Sequence, residues 1–486
     1  MRRGKTFTLQ HRIGRSEGQP LYMQLAHGLI HEIERGRLQA GSVLPSSREL
    51  AVELGLNRKT VVTAYEELTA QGWLEADGRR GTRVCTHLPE THDGKAQQSR
   101  SQSQPVFQFR KAPDRPLTIP SGSRIKFDEG SPDGSLFPAE ILARSFRRAA
   151  LMAARQKRLS YRDPRGSELL RDAIAAMLRE ERGLVVGPQN ICVTRGSQAA
   201  IMLAARTLAR QDACALAEEL TYEPAVQALE GCGLPVHPLR MDEGGLIVDD
   251  LEAHCREHRV AALFLTPHHQ FPTTISLAPE RRLRIAELAR QFGFAIIEDD
   301  YDHEFRFGSQ PLLPMAAYAP ESVVYVGSLS KLLLPALRVG YVAASEDVVA
   351  AIAHQVSLTD GMGSTLTEEA VAYLFQDGEV RRHARKAGRI YAERRDSMAH
   401  AVAQHLGTFA ETRLPQGGLA MWLQFHDLDA LARMERQAPD HGIRFAASES
   451  YRIGPLAPRG LRFGFAAHDP SSAIGAVETL GRLARG

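Results

Sequence analysis

Apolar positions along the chain fall into two regimes. Before residue 88 they recur at helical spacing. Leu21, Leu25, Leu29, Ile30 and Ile33 predict a helix over 21–35. Ser46 and Glu49 form a capping-box pattern after Pro45, so a second helix is expected from there to about Leu54, stopped by Gly55. Asn57 is placed to cap a third over 58–72. Trp73–Ala76, Asp77-Gly78 and Thr82–Cys85 then read as a hairpin with Arg79, Arg80 and Gly81 at its tip. After about Phe127 the regime changes. Short apolar runs (191–194, 261–266, 294–298, 323–326) alternate with amphipathic stretches such as 197–209 and 279–292. Strands alternating with helices predict an α/β body, a parallel-rich sheet with helices on both faces.

Between the regimes, residues 88–126 lose their apolar period. Thr91–Gln104 is rich in Gln, Ser and charge, and Pro105, Pro113, Pro116 and Pro120 follow. The expected organisation is a front domain over 1–87, a flexible linker over 88–126 and a body over 127–486. As a flexible coil the linker's 39 residues would reach about 35 Å, roughly one turn of DNA.

Composition narrows the class. The chain has 486 residues, 43% of them apolar and 24% charged, as in globular protein. No run of 18 apolar residues is present, so no membrane span is expected, and Met1–Lys5 is not followed by the apolar stretch of a secretory signal. The five cysteines are odd in number and widely spaced, which argues against a disulfide framework or zinc site and for a reducing cytoplasm. The net charge of +3 hides an asymmetry. Residues 1–85 carry +4, residues 86–126 another +4, and the remaining 360 carry −5. A basic front end on an acidic body points to a polyanionic partner.

In the front domain, two helices joined by Gly55-Leu56-Asn57 form a helix-turn-helix pattern. The second opens on Arg58-Lys59-Thr60, where a recognition helix meets bases and phosphates. The string LPSSRELA…LGLNRKTVVTAYEELTAQGWLE…GRRGTRV, over about 19–86, resembles the GntR-family winged helix. The resemblance implies that Arg48, Arg58, Thr60 and Gly81 lie at the DNA surface. Lys59 and Arg80 are expected phosphate contacts by charge and position.

In the body, Ser328-Leu329-Ser330-Lys331 follows an apolar strand. A lysine at a strand's edge, flanked by hydroxyls, can form a Schiff base while its neighbours donate to a phosphate. Alone it would read as a solvated loop lysine. Upstream, Ile296–Tyr301 is a strand ending in Glu298-Asp299-Asp300, and such a carboxylate can keep a cofactor's pyridinium nitrogen protonated. Alone it would equally suit magnesium or solvent. Thr194-Arg195-Gly196-Ser197-Gln198 is a strand, a turn and a helix start, an anion pocket in form. Arg338 can pair with phosphate.

Together these segments resemble a fold-type-I aminotransferase domain over about 127–486. The resemblance implies pyridoxal 5'-phosphate as cofactor and Lys331 as the catalytic lysine that carries it. It implies Asp299 at the pyridine nitrogen, Tyr301 at the ring hydroxyl and Tyr222 stacked on the ring. Gly196, Ser197, Gln198, Ser328, Ser330 and Arg338 would cradle the phosphate. Tyr161 would reach the phosphate of the other subunit, and Arg462 would hold an effector's carboxylate. One departure stands out: where aminotransferases have Asn-Pro-Thr-Gly, this chain has Phe271-Pro272-Thr273-Thr274. Phe271 cannot make the asparagine's hydrogen bond, which counts against efficient transamination. His268 and His269 read as polar loop histidines.

The whole chain, with HQFPT and EDDYDHEFRF, resembles the MocR-type regulators. The expectations are a cytoplasmic, head-to-tail homodimer, a double-stranded DNA operator as partner, and a small amino-compound effector or the cofactor itself as trigger. A working aminotransferase with an added DNA module, and a cofactor-free DNA-binding scaffold, stand as alternatives.

Overall fold

The computed structural model describes residues 19–76, 81–88, 108, 125–308 and 312–486. The chain divides into two compact units, Met1–Asp114 and Arg115–Gly486.

In the first unit, Leu21–Glu34 turns Leu25, Leu29 and Ile33 into a core shared with Leu50, Val61, Leu68, Trp73 and Val84. The capping box forms: Glu49 N donates to Ser46 Oγ (3.3 Å) and Ser46 N to Glu49 Oε2 (2.9 Å), starting the helix Ser47–Leu54. Gly55, at φ 63°, ends it in the left-handed conformation that glycine adopts without strain. Asn57 Oδ1 accepts from Lys59 N (2.8 Å) and opens the helix Arg58–Ala70. The hairpin pairs Leu74–Ala76 with Thr82–Val84. Its expected turn, with Arg79 and Arg80, lies outside the described residues.

The second unit is built on a seven-stranded sheet. Its order is Ile191–Thr194, Gly340–Ala343, Val323–Ser328, Ala295–Asp300, Val260–Leu265, Cys214–Glu218, Val236–Leu239. Strand alternation feeds two cores. Leu263 and Leu265 pack with Ile285 and Leu288 of the helix Pro279–Phe292. Ala262 and Phe264 pack with Ala200 and Ala204 of Ser197–Leu208 on the other face. The expected covering of both faces is present. The sheet is parallel-rich as expected, and mixed only because Gly340–Ala343 runs antiparallel to both neighbours. Only a short turn-rich loop separates it from Val323–Ser328, too little for the helical crossover that a parallel return needs.

A further core was not foreseen. The helices Glu379–Leu406 and Pro470–Arg485 cover a three-stranded antiparallel sheet of Ala410–Thr412, Ala420–Phe425 and Gly460–Gly464. Ile125–Phe127 joins this region by pairing with Ile443–Phe445. The long return of Ile125 across the body places the next residues, 128–130, beside the sheet's functional edge.

Candidate functional site

The C-terminal ends of the parallel strands converge, as sites in open α/β sheets do. Asp299 and Asp300 are adjacent on one strand, so their side chains point to opposite faces. Asp300 is consumed by structure. Arg182 Nη2 reaches its Oδ2 at 2.5 Å and Tyr325 OH at 2.6 Å, all three buried. Burial alone would raise the Asp300 carboxyl, but the Arg182 guanidinium, together with His268, His303 and the Tyr325 hydroxyl, outweighs it and holds the group well below the usual range. Asp299 has no such partner. Its Oδ1 is buried without a hydrogen bond, and burial, with Asp300 and Asp302 adding to it, pushes its carboxyl up to about 8. A buried acid left unpaired on the site face fits a protonated ring nitrogen or another cationic group.

Lys331 follows the neighbouring strand, with Asp299 paired to Val326 in register. Its Nζ donates to the Gly130 carbonyl (2.7 Å), and burial lowers its pKa against the pull of Asp128 and Glu129. Depressed lysine pKa favours the neutral amine that attacks carbonyls.

The anion end is built from backbone. Gly196 caps the helix Ser197–Leu208 at φ 85°, and a Cβ there would press on the Arg338 guanidinium at 3.2 Å. Gly340 leaves no more room: its Cβ would lie 2.5 Å from the Gly196 carbonyl carbon. Arg338, at φ 51°, donates from Nη2 to the Arg195 carbonyl (2.9 Å). Ser328 Oγ accepts from Ser330 N (3.2 Å). Ser330 Oγ and Gln198 Oε1 are buried without partners, while Gln198 Nε2 donates to the Pro224 carbonyl. Ser197 opens the helix with its amide end free of a side-chain cap. These unmet donors and acceptors, two glycines and one arginine suit a phosphate.

Around Lys331 stand aromatic rings. Phe271 lies 5.2 Å from Tyr222 and 6.3 Å from Tyr301, centroid to centroid. Tyr301 OH donates to the His269 carbonyl (2.9 Å) and accepts from Arg462 Nη2 (3.1 Å). Arg462 is 1% exposed, makes two further hydrogen bonds to the Glu129 and Pro272 carbonyls, and stacks 4.9 Å over Phe271. No carboxylate is paired with it among the described residues. Tyr161 stands apart at 93% exposed, where only another molecule would meet it.

The two histidines lie in a loop, as expected, but both are engaged by charged side chains. His268 is buried between Arg182 and Asp300, and burial lowers its pKa to about 3. His269 Nδ1 lies 2.7 Å from Asp302 Oδ1. Sequence reading also missed Glu129, Gly130, Trp422 and Tyr451. The only available signal was Asp128-Glu129-Gly130 just after a strand. In the first unit, Arg48, Arg58, Lys59 and Gly81 are exposed and Thr60 half-buried. Arg48 begins one helix and Arg58–Thr60 the next, with Gly81 at φ 97° before the second hairpin strand.

Comparison with known proteins agrees with both units. Residues 21–84 match the model of the bacterial regulatory proteins of the gntR family, and residues 124–480 that of aminotransferase class I and II. The probable rhizopine catabolism regulatory protein MocR of Rhizobium meliloti is 30% identical over 468 residues, covering 95% of this chain and 93% of the relative. The pyridoxine biosynthesis transcriptional regulator PdxR of Corynebacterium glutamicum is 31% identical, covering 92% of each. The alpha-aminoadipate aminotransferase LysN of Thermus thermophilus, complexed with N-(5'-phosphopyridoxyl)-L-leucine, superposes with a TM-score of 0.68 at 26% identity, over 74% of this chain and 92% of that one.

Proposed function

The chain belongs to the class I and II aminotransferase family and, with its GntR-type front region, to the MocR-type transcriptional regulators; from that premise we propose that an amino compound meeting pyridoxal 5'-phosphate at Lys331 sets how the protein binds DNA. The observation that carries this reading is the buried, unpartnered Asp299 carboxylate beside an amine-bearing Lys331. When bound, the cofactor supplies an aldehyde that condenses reversibly with primary amines.

The chain's residues then have distinct tasks. Asp299 holds a proton on the ring nitrogen and recovers an ionised state by doing so. Tyr301 would turn its hydroxyl proton from the His269 carbonyl to the ring oxygen, and Tyr222 would cover the ring face. Gly196, Ser197, Gln198, Ser328, Ser330 and Arg338 bind the phosphate through amides, hydroxyls and one guanidinium. Arg462 orients an anionic group of the effector. Phe271 gives the ring oxygen no asparagine donor, so the site favours binding over turnover. Tyr161 is exposed as a residue completing a partner's phosphate site would be, which fits a head-to-tail homodimer acting in the cytoplasm. In the front unit Arg48, Arg58, Lys59, Thr60, Arg80 and Gly81 face an operator.

An effector changes DNA binding only as far as it prefers one arrangement of the protein over another. The proposed domain division remains 1–87, 88–126 and 127–486. The test is spectral. Purified protein given pyridoxal phosphate should acquire visible absorbance that Lys331→Ala lacks, and candidate amines should change absorbance and operator affinity together. Colourless protein defeats the cofactor reading. Rapid multiple-turnover transamination defeats the sensor reading in favour of an enzyme.

A further inference from the structure

Residues 128–130 pass between two cations. The Gly130 carbonyl accepts from Lys331 Nζ at 2.7 Å, and the Glu129 carbonyl from Arg462 Nε at 3.2 Å. Asp128 is spent on the turn itself, its Oδ1 accepting from Gly130 N (2.9 Å) and Ser131 N (2.7 Å). The Glu129 side chain is not spent: among the described residues no hydrogen bond or ion pair reaches its carboxylate. Burial raises its pKa, and the nearby charges of Lys331 and Arg462 pull the other way. Tyr222 and Tyr451 feel its charge in turn. Glu129 therefore shares one small space with the amine, the guanidinium and two rings.

The wall of that space is aromatic and partly unsatisfied. Tyr451 lies 5.8 Å from Phe271 and 5.5 Å from Trp422 between centroids. Trp422 Nε1 is buried with no hydrogen-bond partner among the described residues. Trp422 and Phe271 share a core with Leu220 and Ala457, so the rings are held rigidly. An unpaired carboxylate beside fixed rings is complementary to an organic cation.

We propose that Glu129 selects the effector, which is an amino compound carrying a second cationic nitrogen. Its anionic group faces Arg462, and its second ammonium faces Glu129 and the Tyr451–Trp422 wall. This rests on the reading that the cofactor sits at Lys331. A neutral chain of the same length would cover the half-buried Glu129 carboxylate with apolar atoms, an uncompensated desolvation. Such unpaired groups discriminate strongly between otherwise isosteric ligands. The competing role, in which Glu129 only balances the charge of Lys331, gives no preference among ligands.

The experiment uses full-length protein loaded with pyridoxal phosphate. It is titrated with L-ornithine against L-norvaline and with L-lysine against L-norleucine, pairs differing only in the terminal ammonium. Binding is read by cofactor absorbance and by calorimetry. At least one diamino acid should bind roughly tenfold to a hundredfold more tightly than its neutral partner, the range of a charged hydrogen bond. Glu129→Gln should erase that preference while moving the neutral ligand's affinity little. Equal affinities within both pairs would overturn the inference, and so would a preference that survives in Glu129→Gln. The wild-type comparison needs no variant to fold. Protein that takes up no cofactor overturns the underlying reading and this inference with it, whereas coloured protein without the preference overturns the inference alone.

Discussion

At the scale of single residues, the site is a contrast between neighbours. Asp299 and Asp300 differ by one position and by everything around them. Arg182, Tyr325 and His268 claim Asp300, and among the described residues no hydrogen bond reaches Asp299 Oδ1. The sequence named Asp299 through a resemblance, since two adjacent carboxylates are alike in one dimension. The structure supplies the physical reason for the choice. It also gives a pH prediction. The Asp299 carboxyl rises from 3.8 to about 8 on folding, chiefly through burial. Folded protein then holds a proton that the unfolded chain releases above about pH 4. The stability contributed by the Asp299 proton in cofactor-free protein is therefore fullest below that point and is lost as pH climbs toward 8. Cofactor-free wild type should lose more melting temperature over this window than Asp299→Asn. Equal slopes in thermal melts of the two would remove Asp299 as the group responsible.

At the scale of elements, the phosphate end depends on backbone approach. The helix Ser197–Leu208 and the strand Gly340–Ala343 meet where neither can carry a Cβ. Gly340→Ala would place its methyl 2.5 Å from the Gly196 carbonyl carbon, forcing the loop and its amides to shift. The expected result is a loss of pyridoxal phosphate affinity of about tenfold or more, the cost of a misdirected set of hydrogen bonds. Fluorescence or absorbance titration would show it, and unchanged affinity would separate this loop from phosphate binding. Element boundaries in the first unit were legible because caps are local: Ser46, Glu49, Gly55 and Asn57 act on residues within four positions. The strand Gly340–Ala343 was not read as a strand. Its direction follows from the length of loop before it and from which strands it lies between, and neither is a local property.

At the scale of the whole molecule, two units carry two chemistries on one chain. The cationic start of the helix Arg58–Ala70 is exposed, while in the other unit Asp299, Gly196 and Ser328 are buried and Lys331 is half-buried. Each should fail separately. Arg58→Ala should weaken operator binding by roughly tenfold to a hundredfold, the worth of one good base contact, and leave cofactor absorbance unchanged. Raising salt should weaken binding of wild type steeply through counterion release, with a shallower slope when a phosphate-contacting cation is removed. Gel-shift or anisotropy titrations at several salt concentrations would measure both. Unchanged operator affinity in Arg58→Ala would move the DNA surface elsewhere on the first unit.

The sequence by itself determined the helices and caps of the front unit and the alternation of strand and helix in the body, and it singled out Lys331 and its companions as candidates. These depend on periodicity, on local hydrogen bonding and on motifs read within a few positions. Only the tertiary structure decided that the sheet is mixed, that a further core closes over Ile125–Phe127, and that His268 is buried between ions. It also decided that Glu129 lies between Lys331 and Arg462, residues more than two hundred positions away in the chain. Such meetings depend on long-range packing, where which charges become partners is fixed by the fold as a whole and not by the spacing of residues along it.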